Sequence, residues 1–140
     1  MNRLLGCLLI LLVGCGSPTV DESHLPQAAV YVTYAALLPC DHCAAIQVQL
    51  ELEQSEAAEA VFHWTEKRLQ TAEGDVENRI EGRYSRITTN FSEQVYHLRG
   101  SNNFEVYLAL TESSDLLLTD DEGNPIRPDS PIYFLIEDAK

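Results

Sequence analysis

From about residue 29 the chain alternates. Ile46, Val48, Leu50 and Leu52 occupy every second position, with Gln47, Gln49, Glu51 and Glu53 between and after them. Period two is the signature of a strand with one dry face and one wet face. A β-prone run comes before it, Ala29 to Leu38, carrying Val30, Tyr31, Val32, Thr33 and Tyr34. Pro39 ends that run because it cannot donate to a ladder. Arg79 to Thr88 alternates again through Ile80, Gly82, Tyr84 and Arg86. Val95 to Leu98, Phe104 to Leu110, Leu116 to Thr119 and Ile132 to Ile136 are shorter β-rich runs. Turn chemistry punctuates them at Gly100-Ser101-Asn102-Asn103, Glu112-Ser113-Ser114 and Asp121-Glu122-Gly123-Asn124-Pro125.

Residues 55–69 carry two patterns at once. Ala58, Val61, Phe62, Thr65 and Leu69 fit a helical stripe, while Phe62 and Trp64 flank His63 as a strand would. Ser55 to Ala60 is helix-prone in composition and Phe62 to Lys67 is not, so a strand is expected from about Val61. Ala72 to Asn78 is polar, contains Gly74, and reads as a connection. Several short strands joined by tight turns predict an all-β fold, an antiparallel sandwich or barrel. With 140 residues there is room for one domain.

The first residues belong to something else. Arg3 gives a positive start, and Leu4 to Val13 is an apolar run of about ten residues, the length of a signal-peptide core and half that of a membrane span. It ends at Leu12-Val13-Gly14-Cys15, which resembles the lipobox of bacterial lipoproteins. That resemblance implies a signal peptide over 1–14, cleavage before Cys15, and acyl chains on that cysteine. Several chains together hold a protein at a bilayer effectively permanently. Gly16, where an inner-membrane retention signal would place aspartate, favours outer-membrane sorting. From Gly16 to Pro26 the chain is too poor in apolar residues to offset its ordering entropy. The expected organisation is thus a lipidated cysteine and flexible tether over 15–28, then one folded domain over 29–138.

Charge narrows the partners. Once Arg3 leaves with the signal, 8 basic residues face 22 acidic ones, a formal charge of −14. Such a body repels phosphate backbones and anionic lipid surfaces. Nucleic acid is excluded as a partner, and any membrane attachment has to come from the lipid anchor. No glycine-rich phosphate loop, nucleophile elbow or zinc-protease motif occurs, and nothing indicates an enzyme.

The chemistry lies in Leu38-Pro39-Cys40-Asp41-His42-Cys43. Cys7 lies in the signal core and Cys15 is the expected lipid site, leaving Cys40 and Cys43 as a pair in an oxidising compartment. Three readings follow. A structural disulfide across the turn would contribute about 2 kcal/mol by closing a small loop. Two thiolates with His42 beside them would make a soft site for copper(I) or zinc. The third and fourth positions could come only from histidines brought near by folding, with His63 and His97 available; Met1, the sole methionine, leaves with the signal. Catalytic disulfide exchange would require the cysteines to open a helix, and the residues that follow alternate as a strand. The aromatic set Trp64, Tyr84, Phe104, Tyr107, Tyr133 and Phe134 predicts a packed core, with a ligand cavity inside a barrel as the alternative.

Taken together, the lipobox cysteine, the polar tether, Leu38-Pro39-Cys40-Asp41-His42-Cys43 and Ile46 are similar to the amino-terminal domain of the NlpE copper-resistance lipoproteins. Asp121-Glu122-Gly123-Asn124-Pro125-Ile126, followed by Tyr133 and Leu135, resembles that domain's closing hairpin, and Gly82 and Tyr84 match a glycine closely followed by an aromatic. The resemblance implies a small antiparallel lipocalin-like β-barrel on the outer membrane, facing periplasm or cell surface. It implies copper homeostasis or envelope-stress sensing by protein contact with a periplasmic sensor kinase, with Cys40 and Cys43 as functional residues. The alternative is a lipocalin-like barrel that binds a small ligand or lipid and uses the cysteines only as a staple. Ala45 departs from the glycine the family often has before the isoleucine.

Overall fold

The computed structural model describes residues 28–137. The expected signal peptide, Cys15, His24 with most of the tether, and the last three residues lie outside the described residues. Eight strands follow one another: β1 (Tyr31–Leu38), β2 (Ala45–Glu53), β3 (Glu59–Thr71), β4 (Gly74–Ile87), β5 (Val95–Gly100), β6 (Glu105–Leu110), β7 (Leu116–Thr119) and β8 (Tyr133–Ile136). Each pairs antiparallel with the next, and β8 returns to β1, where Ala35 faces Leu135. The sheet is closed into a barrel, so the sandwich alternative is set aside. Closure also removes the unpaired edges that an open sheet would expose.

Alternation decides what fills the interior. Val48, Leu50 and Leu52 of β2, Ala60, Phe62 and Trp64 of β3, Tyr84 of β4, Leu98 of β5, Leu108 of β6, Leu116 of β7 and Phe134 of β8 are all buried in one cluster. Trp64 packs edge-on against Phe104 at 5.1 Å between ring centres and meets Phe134 at a tilt, at 5.5 Å. Side chains occupy the lumen at these levels, as expected of a small barrel. Of the six aromatics read as core, Trp64, Tyr84 and Phe134 are buried and Phe104 packs against them. Tyr107 instead stands on the outer wall, stacked on His97 at 4.3 Å, and Tyr133 is 45% exposed. Both sit one residue out of phase with inward neighbours, Leu108 and Phe134.

The ambiguous stretch is strand. β3 begins at Glu59, two residues earlier than expected, because Ala60 pairs with Tyr84 and faces inward. Ala58, on the helical stripe, is exposed. The expected connection over Ala72 to Asn78 shrinks to a turn at Ala72 and Glu73. Gly74 to Asn78 pair back onto Glu66 to Thr71 as the start of β4. That arm is wet on both faces, so it carries no alternation to read. Gly74, with φ +95°, supplies the left-handed conformation the turn needs.

Candidate functional site at the disulfide corner

The connection between β1 and β2 is six residues, Pro39 to Ala44, and carries the chain round one end of the barrel. Proline stops the ladder after Leu38, and pairing resumes at once on the other side, with Leu38 opposite Ile46. Cys40 and Cys43 close this corner as a disulfide with their Cα atoms 5.4 Å apart. The turn is anchored from outside by the Ala44 amide, which donates to the Leu69 carbonyl of β3 at 2.9 Å. Both cysteines are half-buried, while Asp41 and His42 between them are exposed.

The hairpin arm of β3 and β4 faces the corner. Together they form an open cleft of about 330 Å³ lined by Cys40, His42, Cys43, Arg68, Thr71, Ala72, Glu73 and Val76. Arg68 is the guanidinium on this wall and lies 3.7 Å from Glu66. Among the described residues, neither His63 nor His97 reaches the cysteines. His63 sits opposite Glu51, toward the other end of β2, and lies 3.4 Å from Glu81. His97 is on β5, 2.7 Å from Glu105, whose carboxyl is held below its usual range chiefly by that contact and by the Tyr107 hydroxyl. Among the described residues no group of three or more histidine, cysteine or acidic ligands is assembled. On reduction, the donor set at the corner is two thiolates with His42 beside them. This fits a two-coordinate soft ion rather than a tetrahedral one. The segment after Cys43 is β2, not a helix, so no helix dipole acts on the thiols.

Sequence reasoning named the corner but missed what faces it. Arg68 and Glu73 reach it only because the hairpin continues past the start of β2, and an arm wet on both faces leaves no pattern to signal that.

The fold and the corner define a class: small closed antiparallel eight-stranded barrels with a disulfide-bonded Cys-x-x-Cys turn between the first two strands. The family model described as the NlpE N-terminal domain matches residues 34–129, most of the chain, and the protein belongs to that family. Among solved structures, it is similar to the crystal structure of the Cpx pathway activator NlpE from Escherichia coli, with a TM-score of 0.54 and 21% identity. The match covers 71% of this chain and 47% of that one, so this chain spans about half of that protein. A search of curated proteins finds no match.

Proposed function

We propose that the protein is a lipid-anchored envelope sensor that responds to copper or envelope stress and passes its state on by protein contact. In this reading Cys15 carries the anchor, residues 15–28 are the tether, and residues 29–138 are the sensing barrel. It faces the periplasm or cell surface from the outer membrane and contacts the periplasmic domain of a sensor kinase. Membership of the NlpE family carries this reading, together with a cysteine pair at an open corner rather than in the core. The related protein is described as a Cpx pathway activator, which motivates the signalling part. Cys40 and Cys43, once reduced, would hold copper(I), with His42 as the adjacent further donor. Closing the disulfide removes both thiolates, so oxidation and metal binding oppose each other.

The test is a copper(I) titration of the reduced full chain against its Cys40→Ser, Cys43→Ser variant. Tight one-to-one binding by the first and none by the second is the expected result. Equal affinity for both would end the metal part of the reading. Insulin reduction no faster than with free dithiothreitol is the expected outcome of an assay for disulfide exchange.

A further inference from the structure

Opposite the packed interior, the outer wall of the β8–β1 seam is apolar and open. Leu37 is 66% exposed, Leu135 56% and Tyr133 45%. With Ala35, Gln47 and Glu137 they line a groove of about 440 Å³. Soluble monomers keep contiguous apolar patches of this kind small unless something binds there. The seam is short, since β8 has four residues and only two of them pair with β1 in register.

Charge around the patch is ordered by the ladder. Leu135, Ala35 and Gln49 form one row across β8, β1 and β2. One step along the strands lies a second row. The Glu137 amide donates to the Thr33 carbonyl at 2.8 Å, Thr33 pairs with Glu51, Glu51 with His63, and His63 with Glu81. Glu137 and Glu51 thus flank this row at a spacing of about 7 Å, two residues along a strand, and Glu81 extends the acidic row two strands further on, beside Arg79. No lysine or arginine among the described residues pairs with Glu51 or Glu137. Lys67, in the row through Leu37 and Gln47, is tied to Asp75 at 3.0 Å.

We propose that this face docks a protein surface carrying an apolar ridge flanked, about 7 Å away, by a row of lysine or arginine side chains. The groove buries the ridge, and the carboxylate row sets its register and selects against acidic partners. A second copy of this chain does not fit, because both bodies carry a large acidic excess. The surface rests on the protein-contact part of the proposed function and not on the cysteine pair.

The experiment places a photo-crosslinking amino acid at Leu37, at Leu135 and, as a control, at Phe91, which is 66% exposed elsewhere on the molecule. The full chain is produced in a bacterial envelope and irradiated. A single protein adduct at Leu37 and Leu135, absent at Phe91, is expected. It should fall about tenfold in Glu51→Lys, Glu137→Lys chains and weaken with added salt. Thermal unfolding of that double variant checks that exposed charge reversal leaves the barrel intact. Adducts unchanged by the reversal, adducts of the chain with itself, lipid adducts alone, or none at all would each overturn the proposal. Running the same crosslink in Cys40→Ser, Cys43→Ser chains separates the two claims. An adduct that persists there while copper(I) binding fails leaves the surface standing and ends the metal reading.

Discussion

Gly82 faces Gly100 across β4 and β5, and the ring of Phe62, paired with Gly82 from β3, lies against its bare backbone. A Cβ on Gly82 would run into the Arg99 carbonyl oxygen and fall 2.7 Å from Phe62 Cε1 and 2.8 Å from the Gly100 Cα. The backbone cannot give way and the ring is fully buried. A Cβ on Gly100 would meet Ile80 Cγ2 at 2.7 Å, the end of a partly buried side chain that can turn. Gly82→Ala should therefore cost about 2–3 kcal/mol and Gly100→Ala about 1 kcal/mol or less, as overpacking does in a filled core. Urea unfolding of both variants measures the pair, and the reverse order would mean that β4 and β5 part more easily than the packing indicates.

Gly82 was visible in the sequence as a glycine in an alternating run and, with Tyr84, as part of the family resemblance. What it makes room for, Phe62, lies twenty residues earlier on the neighbouring strand, and no local pattern carries that pairing. The same division holds elsewhere. Wherever one face is dry, as at Val48, Leu50 and Leu52, the period-two signal gave strand and facing correctly. Where both faces are wet, in Gly74 to Asn78, a strand read as a loop. Residue type alone puts Tyr107 and Tyr133 in the core, while their phase relative to Leu108 and Phe134 places them outside. The cysteine corner was legible because proline, two cysteines and a clean strand fall in one short stretch. Its facing wall was not, because Arg68 and Glu73 reach it through tertiary structure.

The Tyr84 hydroxyl donates to the Glu53 carbonyl at 2.5 Å, closing the end of the barrel where β1 begins. Its ring meets Tyr96 edge-on at 5.5 Å, and burial raises the pKa of its phenol. Nearby Tyr34 is pushed up to about 12 by burial first, then by the neighbouring phenols and Asp115. Both hydroxyls stay protonated well into alkaline solution, so Tyr84 acts as a donor throughout the physiological range. Tyr84→Phe keeps the packing and leaves the Glu53 carbonyl without this donor. A loss of about 1–1.5 kcal/mol is expected in urea unfolding. No loss would show that solvent replaces the bond.

Asp120 organises the loop that follows β7. One carboxylate oxygen accepts the amides of Glu122 at 3.0 Å and Asn124 at 2.8 Å, and the other accepts the Asn124 side-chain amide. The Asn124 amide is the main reason the carboxyl is held below its usual range. A folded-state pKa below the unfolded one gives stability that is present above the unfolded value and lost as pH falls through the folded value. Wild type should therefore exceed Asp120→Ala in melting temperature at pH ~7, and the gap should narrow below pH ~4. A gap that stays constant to pH ~2.5 would separate the loop's stability from this ionisation.

Breaking the Cys40–Cys43 bond should loosen one corner and leave the barrel closed. The loop it closes is short, with the two cysteines three positions apart, so its loss costs about 2 kcal/mol in the chain-entropy model. The β1–β2 ladder runs from Tyr31 opposite Glu53 to Leu38 opposite Ile46, and the Ala44 amide still holds the turn to Leu69. Hydrogen exchange in the Cys40→Ser, Cys43→Ser chain should therefore speed up at residues 40–46 and stay near wild type along Leu50 and Leu52. A change spreading through β2 into β3 would mean that the disulfide sets the register of the first hairpin. In that case the redox state of the corner would reach Ala35 and Leu37, and the apolar face beside them would report it to whatever docks there.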